Sequence, residues 1–167
     1  MNNSWNELLS FFNMQTDPFS RDIDTEHLLR LPSIVDALTG LDFFCARRGI
    51  GILSGKSGCG KSCLLRILSG TLPTGLYRPV YLCHASVSLG EFYSHIAVSF
   101  NLQPGGRRAT LFRAIKDHVT QLSRTEKIHP ILIIDEAHAL SNSILAELRQ
   151  LANFYYDSET CLSILLS

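Results

Sequence analysis

An excess of charge of either sign is missing from this chain. Its 15 Lys and Arg residues are matched by 15 Asp and Glu, so the formal net charge is zero with histidine neutral. No global field draws it to nucleic acid or to an anionic membrane, and binding to either needs a local patch. Long apolar runs are also missing. Nothing approaches the ~20 consecutive apolar residues that span a bilayer, and Met1-Asn2-Asn3-Ser4 does not open the basic and then apolar pattern of an export signal. The expectation is a soluble, cytoplasmic protein. The five cysteines, Cys45, Cys59, Cys63, Cys83 and Cys161, contain no C-x-x-C pair. Their odd number and scatter favour free thiols over disulfides or zinc. The six histidines, His27, His84, His95, His118, His129 and His138, lack a paired metal spacing and are expected on the surface or in packing. Internal repeats and low-complexity tracts are absent. The 167 residues suit one domain, which can bury roughly two thirds of its unfolded surface in a single core.

What is present is concentrated in two segments. The first, Gly55-Lys56-Ser57-Gly58-Cys59-Gly60-Lys61-Ser62, satisfies G-x-x-x-x-G-K-[ST]. Glycines at these places let the backbone take positive φ and turn successive N–H groups inward, and the following helix adds its positive end. Lys61 supplies a mobile cation for the β- and γ-phosphates, and the Ser62 hydroxyl can ligate the magnesium between them. The expected nucleotide contacts are therefore Gly55, Lys56, Ser57, Gly58, Cys59, Gly60, Lys61, Ser62 and the adjoining Cys63. Cys59 reads either as a small tolerated side chain or as an oxidisable thiol. The setting fits the motif, because Gly49 to Leu53 is apolar and of buried-strand length, while Leu64, Leu65, Ile67 and Leu68 recur at helical spacing.

The second segment is Ile131-Leu132-Ile133-Ile134 followed by Asp135-Glu136. Strands covered on both faces of a parallel sheet read as continuous apolar runs, and ligands in such folds sit beyond the strand carboxyl ends. Asp135 then arrives beside the phosphate loop as the magnesium partner. Glu136 adds a carboxylate placed to polarise a water for attack on the γ-phosphate. The string Asp135-Glu136-Ala137-His138 is not a helicase signature here, since the companion helicase segments are absent.

Between and around these segments the pattern alternates. Trp5, Leu8, Leu9 and Phe12 make an amphipathic start, followed by a turn at Thr16-Asp17-Pro18-Phe19-Ser20. Pro32 sits near the start of a helix with Ile34, Val35, Leu38, Leu41 and Cys45 on one face. Pro79 to Cys83 reads as a strand. Helices carrying Leu89, Phe92, Ile96, Phe100 and then Leu111, Phe112, Ile115, Val119, Leu122 flank a break at Pro104-Gly105-Gly106. Ile144, Leu148, Leu151 and Tyr155 trace a last helical face before the strand Leu162 to Leu166. Such alternation predicts a parallel sheet with helices on both sides.

The wide separation of the phosphate loop from the Asp-Glu strand, with a strand and two helices between, resembles the AAA+ ATPases. Within them the chain is similar to the ExeA-like group, which includes general-secretion-pathway ATPases and ATP-dependent target-selecting subunits of bacterial transposons. Phe11-Phe12 leading to Asp17-Pro18-Phe19, the stretch Tyr81 to Ser88, and Glu147-Leu148-Arg149 through Asn153-Phe154 extend the likeness over nearly the whole chain. The resemblance implies an α/β fold, a three-layer αβα sandwich of the P-loop NTPase type with a mainly parallel sheet. Residues 1–48 would be an N-terminal helical segment with an adenine-side turn, and residues 49–167 the nucleotide-binding core of a single domain.

The resemblance also implies roles. ATP and magnesium become the cofactors, with Lys61 on the phosphates, Ser62 and Asp135 on the metal, and Glu136 activating water. Phe19 lies over the adenine or is a packing aromatic. His84 or Ser86 holds the catalytic glutamate inactive or caps the strand end. Duplex DNA and a transposase are the implied partners, with Arg107 and Arg108 as the basic candidates or as solvated turn residues, and the complete module is expected to form homo-oligomers. The secretion alternative normally carries a membrane segment. The family's sensor residue, arginine finger and helical lid have no counterpart before Ser167, so the expectation is the first part of an AAA+ module that binds ATP and turns it over slowly. A nonenzymatic nucleotide switch is the remaining alternative.

Overall fold

The computed structural model describes residues 3–18, 20, 23–82, 87–153 and 160–167. Helix α1 (Asn3–Phe11) precedes α2 (Pro32–Arg47), which takes Pro32 at its first turn, where a missing N–H costs nothing. Strand β1 (Ile50–Ile52) leads through the glycine-rich loop into α3 (Lys61–Thr71), and β2 (Tyr77–Leu82) follows. Next come α4 (Leu89–Ser99), α5 (Arg108–Gln121), β3 (His129–Ile134), α6 (Asn142–Ala152) and β4 (Ser163–Leu166).

Local chemistry sets several of these boundaries. Ser88 caps α4 by accepting from Glu91 N–H, while the Glu91 carboxylate accepts the Ser88 N–H at 2.9 Å, a reciprocal capping box. Ser141 caps α6 through Ile144 N–H. The expected helix from Leu111 to Leu122 ends one residue earlier, and Leu122 begins a wider turn that runs to Glu126.

All four described strands are parallel, in the order β1-β4-β3-β2. Period-two alternation divides the core between the two faces of the sheet. Ile131, Ile133 and Leu165 face α2 and α3, where they meet Leu41, Cys45, Leu64, Leu65 and Leu68. Leu132, Ile134, Leu162 and Ile164 face α4, α5 and α6. Every residue of β3 is buried, as its continuous apolar run requires. Each such side chain contributes ~1.5–3 kcal/mol of transfer free energy.

Two expectations change at the periphery. The run from Gly49 to Leu53 is a strand for only three residues, and it is not enclosed. It stands at the edge of the described sheet, with Ile50 and Ile52 exposed, because β4 covers one side of it. Val35, placed with the buried face of α2, is also exposed. The amphipathic stripe of α1 closes on its own following turn rather than on the sheet, so Trp5, Leu8, Leu9, Phe12, Met14 and Pro18 line a small apolar pocket. Cys45, Cys59 and Cys63 are free thiols, while Cys83, His84, Ser86, Phe154 and Tyr155 lie outside the described residues.

One buried polar pair was not visible in the sequence. His129 Nε2 lies 2.8 Å from Ser163 Oγ, which also accepts the Gly49 N–H at 3.2 Å. Burial, aided by the charge of Arg48, pushes the imidazole pKa down to about 4. An unfolded chain takes up this proton near pH ~6.5, whereas the folded chain resists until about 4. The folded state therefore loses stability as pH falls through that window. Urea denaturation of the wild type should show a loss on the order of 3 kcal/mol between pH ~7 and ~4 from this group, and His129→Gln should flatten that part of the slope.

Candidate functional site

The carboxyl ends of β1, β3 and β4 meet at one edge of the sheet. Leu53 N–H donates to Leu166 O at 2.7 Å, Ser167 N–H to Ile134 O at 2.9 Å, and Ala137 N–H to Ser167 O at 2.7 Å. The tip of β4 thus laces the strand before the glycine-rich loop to the strand before Asp135. Ligands of open α/β sheets bind at this edge.

In the loop, Gly58 and Gly60 hold φ of +77° and +91°, which favour glycine. A Cβ on Gly55 would meet Cys59 Sγ at 2.7 Å, so the thiol packs directly over the loop's first residue. Gly60 is the N-cap of α3, and its carbonyl accepts from Leu64 N–H at 2.9 Å. Lys61 Nζ donates to Gly55 O at 3.0 Å and to Lys56 O at 3.4 Å, which keeps the ammonium over the loop.

Ser62, one residue into α3, reaches across to β3. Its hydroxyl donates to Asp135 Oδ2 at 2.8 Å. Tyr81 Oη donates to the same oxygen at 2.6 Å, and Glu136 N–H donates to Oδ1 at 3.0 Å. Burial works to raise the Asp135 pKa, but the hydrogen bonds from Tyr81, Ser62 and the Glu136 backbone outweigh it. The Ser167 hydroxyl, without a partner in strict hydrogen-bond geometry, adds to the effect. The carboxyl stays below its usual range and remains ionised at neutral pH.

Gly55, Ser57 and Lys61 line a cavity of ≈ 640 Å³ together with Glu136, His138 and Ser167. This volume lies within the range of small-molecule and cofactor sites. Glu136 takes a left-handed backbone, φ 55°, and its Oε2 stands 3.2 Å from His138 Nδ1. The structure thereby brings Gly55, Ser57, Lys61 and Glu136 around one space, while Ser62 and Asp135 are joined to each other and Lys56, Gly58, Cys59, Gly60 and Cys63 are not among its lining residues. Phe19 lies outside the described residues. Arg66 on α3 donates to Ile23 O at 2.7 Å, which anchors the segment that follows Phe19.

These residues fit a magnesium nucleotide. Gly58 and Gly60 hold the left-handed backbone that turns the loop, and the joined donors Ser62 and Asp135 are hard oxygens of the kind magnesium takes alongside phosphate and water. No group of three or more His, Cys, Asp or Glu side chains able to hold a metal occurs among the described residues.

Residues 45–167 match the protein family described as AAA domain. The chain belongs to the AAA domain family. Its described architecture is the α/β, P-loop NTPase type of that family. No curated protein matches the sequence. Among solved structures, this AAA domain is similar to the crystal structure of Cdc6p from Pyrobaculum aerophilum, with 21% sequence identity and a TM-score of 0.68 over 90% of this chain. The likeness is one of fold, and the chain spans 42% of the length of that protein.

Two side chains of the AAA domain site escaped the sequence. Tyr81 was readable only as part of a strand, although its alternation with Val80 and Leu82 was a usable signal. His138 was set among surface and packing histidines, yet it lines the cavity beside Glu136. Arg108, a basic candidate for nucleic acid, is engaged with Glu147 at 3.3 Å.

Gly60→Ala should cost about 1–2 kcal/mol by forcing a side chain into the left-handed region. Gly105→Ala, where φ is ordinary and nothing lies within 4 Å, should change stability by less than ~0.5 kcal/mol. Thermal denaturation of both variants checks the contrast.

Proposed function

We infer that this chain binds ATP with magnesium in the cavity between the glycine-rich loop and Glu136, and that it hydrolyses the bound nucleotide. The observation that carries the reading is the 2.8 Å hydrogen bond from Ser62 to Asp135, which joins the phosphate loop to an ionised carboxylate at the end of β3. Membership of the AAA domain family supports the same nucleotide chemistry.

Each residue has a task within that reading. The backbone from Gly55 to Gly60 cradles phosphate through its N–H groups, and the amino end of α3 adds its partial positive charge. Lys61 swings from the loop carbonyls to the β- and γ-phosphates. Ser62 and Asp135 hold magnesium, which when bound neutralises charge on the phosphates and orients them. Glu136 orients and polarises the water that attacks the γ-phosphate, while His138 holds the Glu136 carboxylate by a hydrogen bond. A preorganised arrangement of this kind acts mainly by positioning and electrostatics.

The resemblance to the ExeA-like group carries the reading towards nucleotide-dependent contact with duplex DNA and a transposase, in the cytoplasm, as part of a homo-oligomer. Its two basic candidates fare differently. Arg107 stands at the N-cap position of α5 without a side-chain capping bond, whereas Arg108 is engaged with Glu147. That pairing weighs against Arg108 as a phosphate contact, so the geometry favours nucleotide binding ahead of DNA binding. No described helix is long and apolar enough to cross a membrane.

Equilibrium titration with ATP and magnesium should give micromolar to submillimolar affinity in the wild type. Lys61→Ala should weaken it about tenfold or more, the loss of one charge-assisted hydrogen bond to phosphate. Glu136→Gln should bind within about twofold of wild type while losing at least about a hundredfold in turnover, as expected for removal of a general base. Unchanged affinity in Lys61→Ala would contradict the site.

A further inference from the structure

Asp135 is the one buried carboxylate among the described residues, and three donors fix it. Its Oδ1 accepts the Glu136 N–H, whereas Oδ2 accepts two hydroxyls, Ser62 at 2.8 Å and Tyr81 at 2.6 Å. Tyr81 comes from neither the glycine-rich loop nor β3. It belongs to β2, whose register sets Tyr81 against Ile133 and Leu82 against Ile134. Side chains alternate along a strand, so Tyr81 shares the sheet face of Ile131, Ile133 and, one step beyond β3, Asp135.

A carboxylate turns easily about its terminal torsion, which is broad and roughly two-fold. Three donors from three different elements remove that freedom. The consequence passes to Ser62, because an ionised carboxylate only accepts and the single hydroxyl proton of Ser62 must point at Oδ2. Both lone pairs of Ser62 Oγ then face away from Asp135. Without the Tyr81 hydroxyl, Oδ2 loses one of its two close hydroxyl donors, and the carboxylate and Ser62 can rotate together.

We propose that Tyr81 is a positioning residue for the magnesium ion: its hydroxyl locks Asp135 so that the Ser62 lone pairs and the remaining carboxylate lone pair are presented to the cation. The proposal rests on the magnesium-nucleotide reading of the site. Tyr81 touches neither nucleotide nor metal in this scheme and acts through Asp135. Hydrogen bonds to metal-ligating carboxylates orient them, and losing one costs ~10–100-fold in metal affinity or activity. The nucleotide itself is held by the loop and Lys61, so its metal-free affinity does not depend on Tyr81.

Tyr81→Phe keeps the half-exposed ring and deletes only the hydroxyl. Tyr77→Phe, on the same face of β2 but at its other end, is the control. A fluorescent ATP analogue is titrated onto the full chain in EDTA, and magnesium is then titrated onto the saturated complex. The proposal expects the half-saturating magnesium concentration to rise about tenfold in Tyr81→Phe. The EDTA affinity should stay within about twofold of wild type, and Tyr77→Phe should change neither value. Unchanged magnesium affinity in Tyr81→Phe overturns the proposal and leaves the nucleotide reading standing. Equal weakening in EDTA and in magnesium also overturns it, by marking Tyr81 as a general support of the fold. A wild-type chain that shows no magnesium dependence overturns both readings together.

Discussion

Ser62 and Asp135 stand 73 residues apart in sequence and share a hydrogen bond of 2.8 Å. Everything at the candidate site depends on that closure, and the closure depends on β4. Strand β4 lies between β1 and β3, and its tip bonds to both through Leu166 and Ser167. Helix α3 is then pressed onto Ile131, Ile133 and Leu165 through Leu64, Leu65 and Leu68, which aims its first turn at the end of β3. The apolar core is thus the device that places a hydroxyl against a carboxylate, and it supplies far more free energy than the polar contact, whose net worth is ~1.5–3 kcal/mol.

The buried carboxylate also shows why its surroundings are so fully hydrogen-bonded. An ionised group out of water is costly unless its lone pairs are met. Asp135 resolves this with donors from β2, α3 and its own following residue, and the charge survives burial as a result. His129, at the opposite end of β3, shows the other outcome. Burial, aided by the charge of Arg48, holds it uncharged. One strand therefore carries an anion at its carboxyl end and a neutral imidazole at its amino end. The difference is that hydrogen bonds to Asp135 outweigh its burial, whereas the Arg48 charge adds to the burial of His129.

The sequence disclosed elements well and relations between elements poorly. The phosphate loop, the buried β3 and the helical faces of α3, α4, α5 and α6 follow from spacing along the chain, which is local information. The edge position of β1 does not, because an apolar triplet reads alike in the centre and at the margin of a sheet until the strand order is known. Tyr81 was hidden for the same reason. Its side of β2 follows from alternation, but its meeting with Asp135 needs the parallel register with β3. The His129 and Ser163 pair likewise joins residues 34 apart through two strands. Arg108 looked like a free cation beside a glycine turn until α6 brought Glu147 against it. No local pattern encodes that approach.

The central claim is that Ser62 and Asp135 form one magnesium-binding unit that serves the nucleotide in the adjoining cavity. Calorimetric titration of ATP into the wild type and into Asp135→Ala, each in magnesium and in EDTA, tests it most directly. The account predicts that magnesium tightens ATP binding about tenfold or more in the wild type, on the scale set by charge-assisted contacts, and that this gain vanishes in Asp135→Ala while the EDTA affinity survives. An equal magnesium gain in both proteins would contradict it.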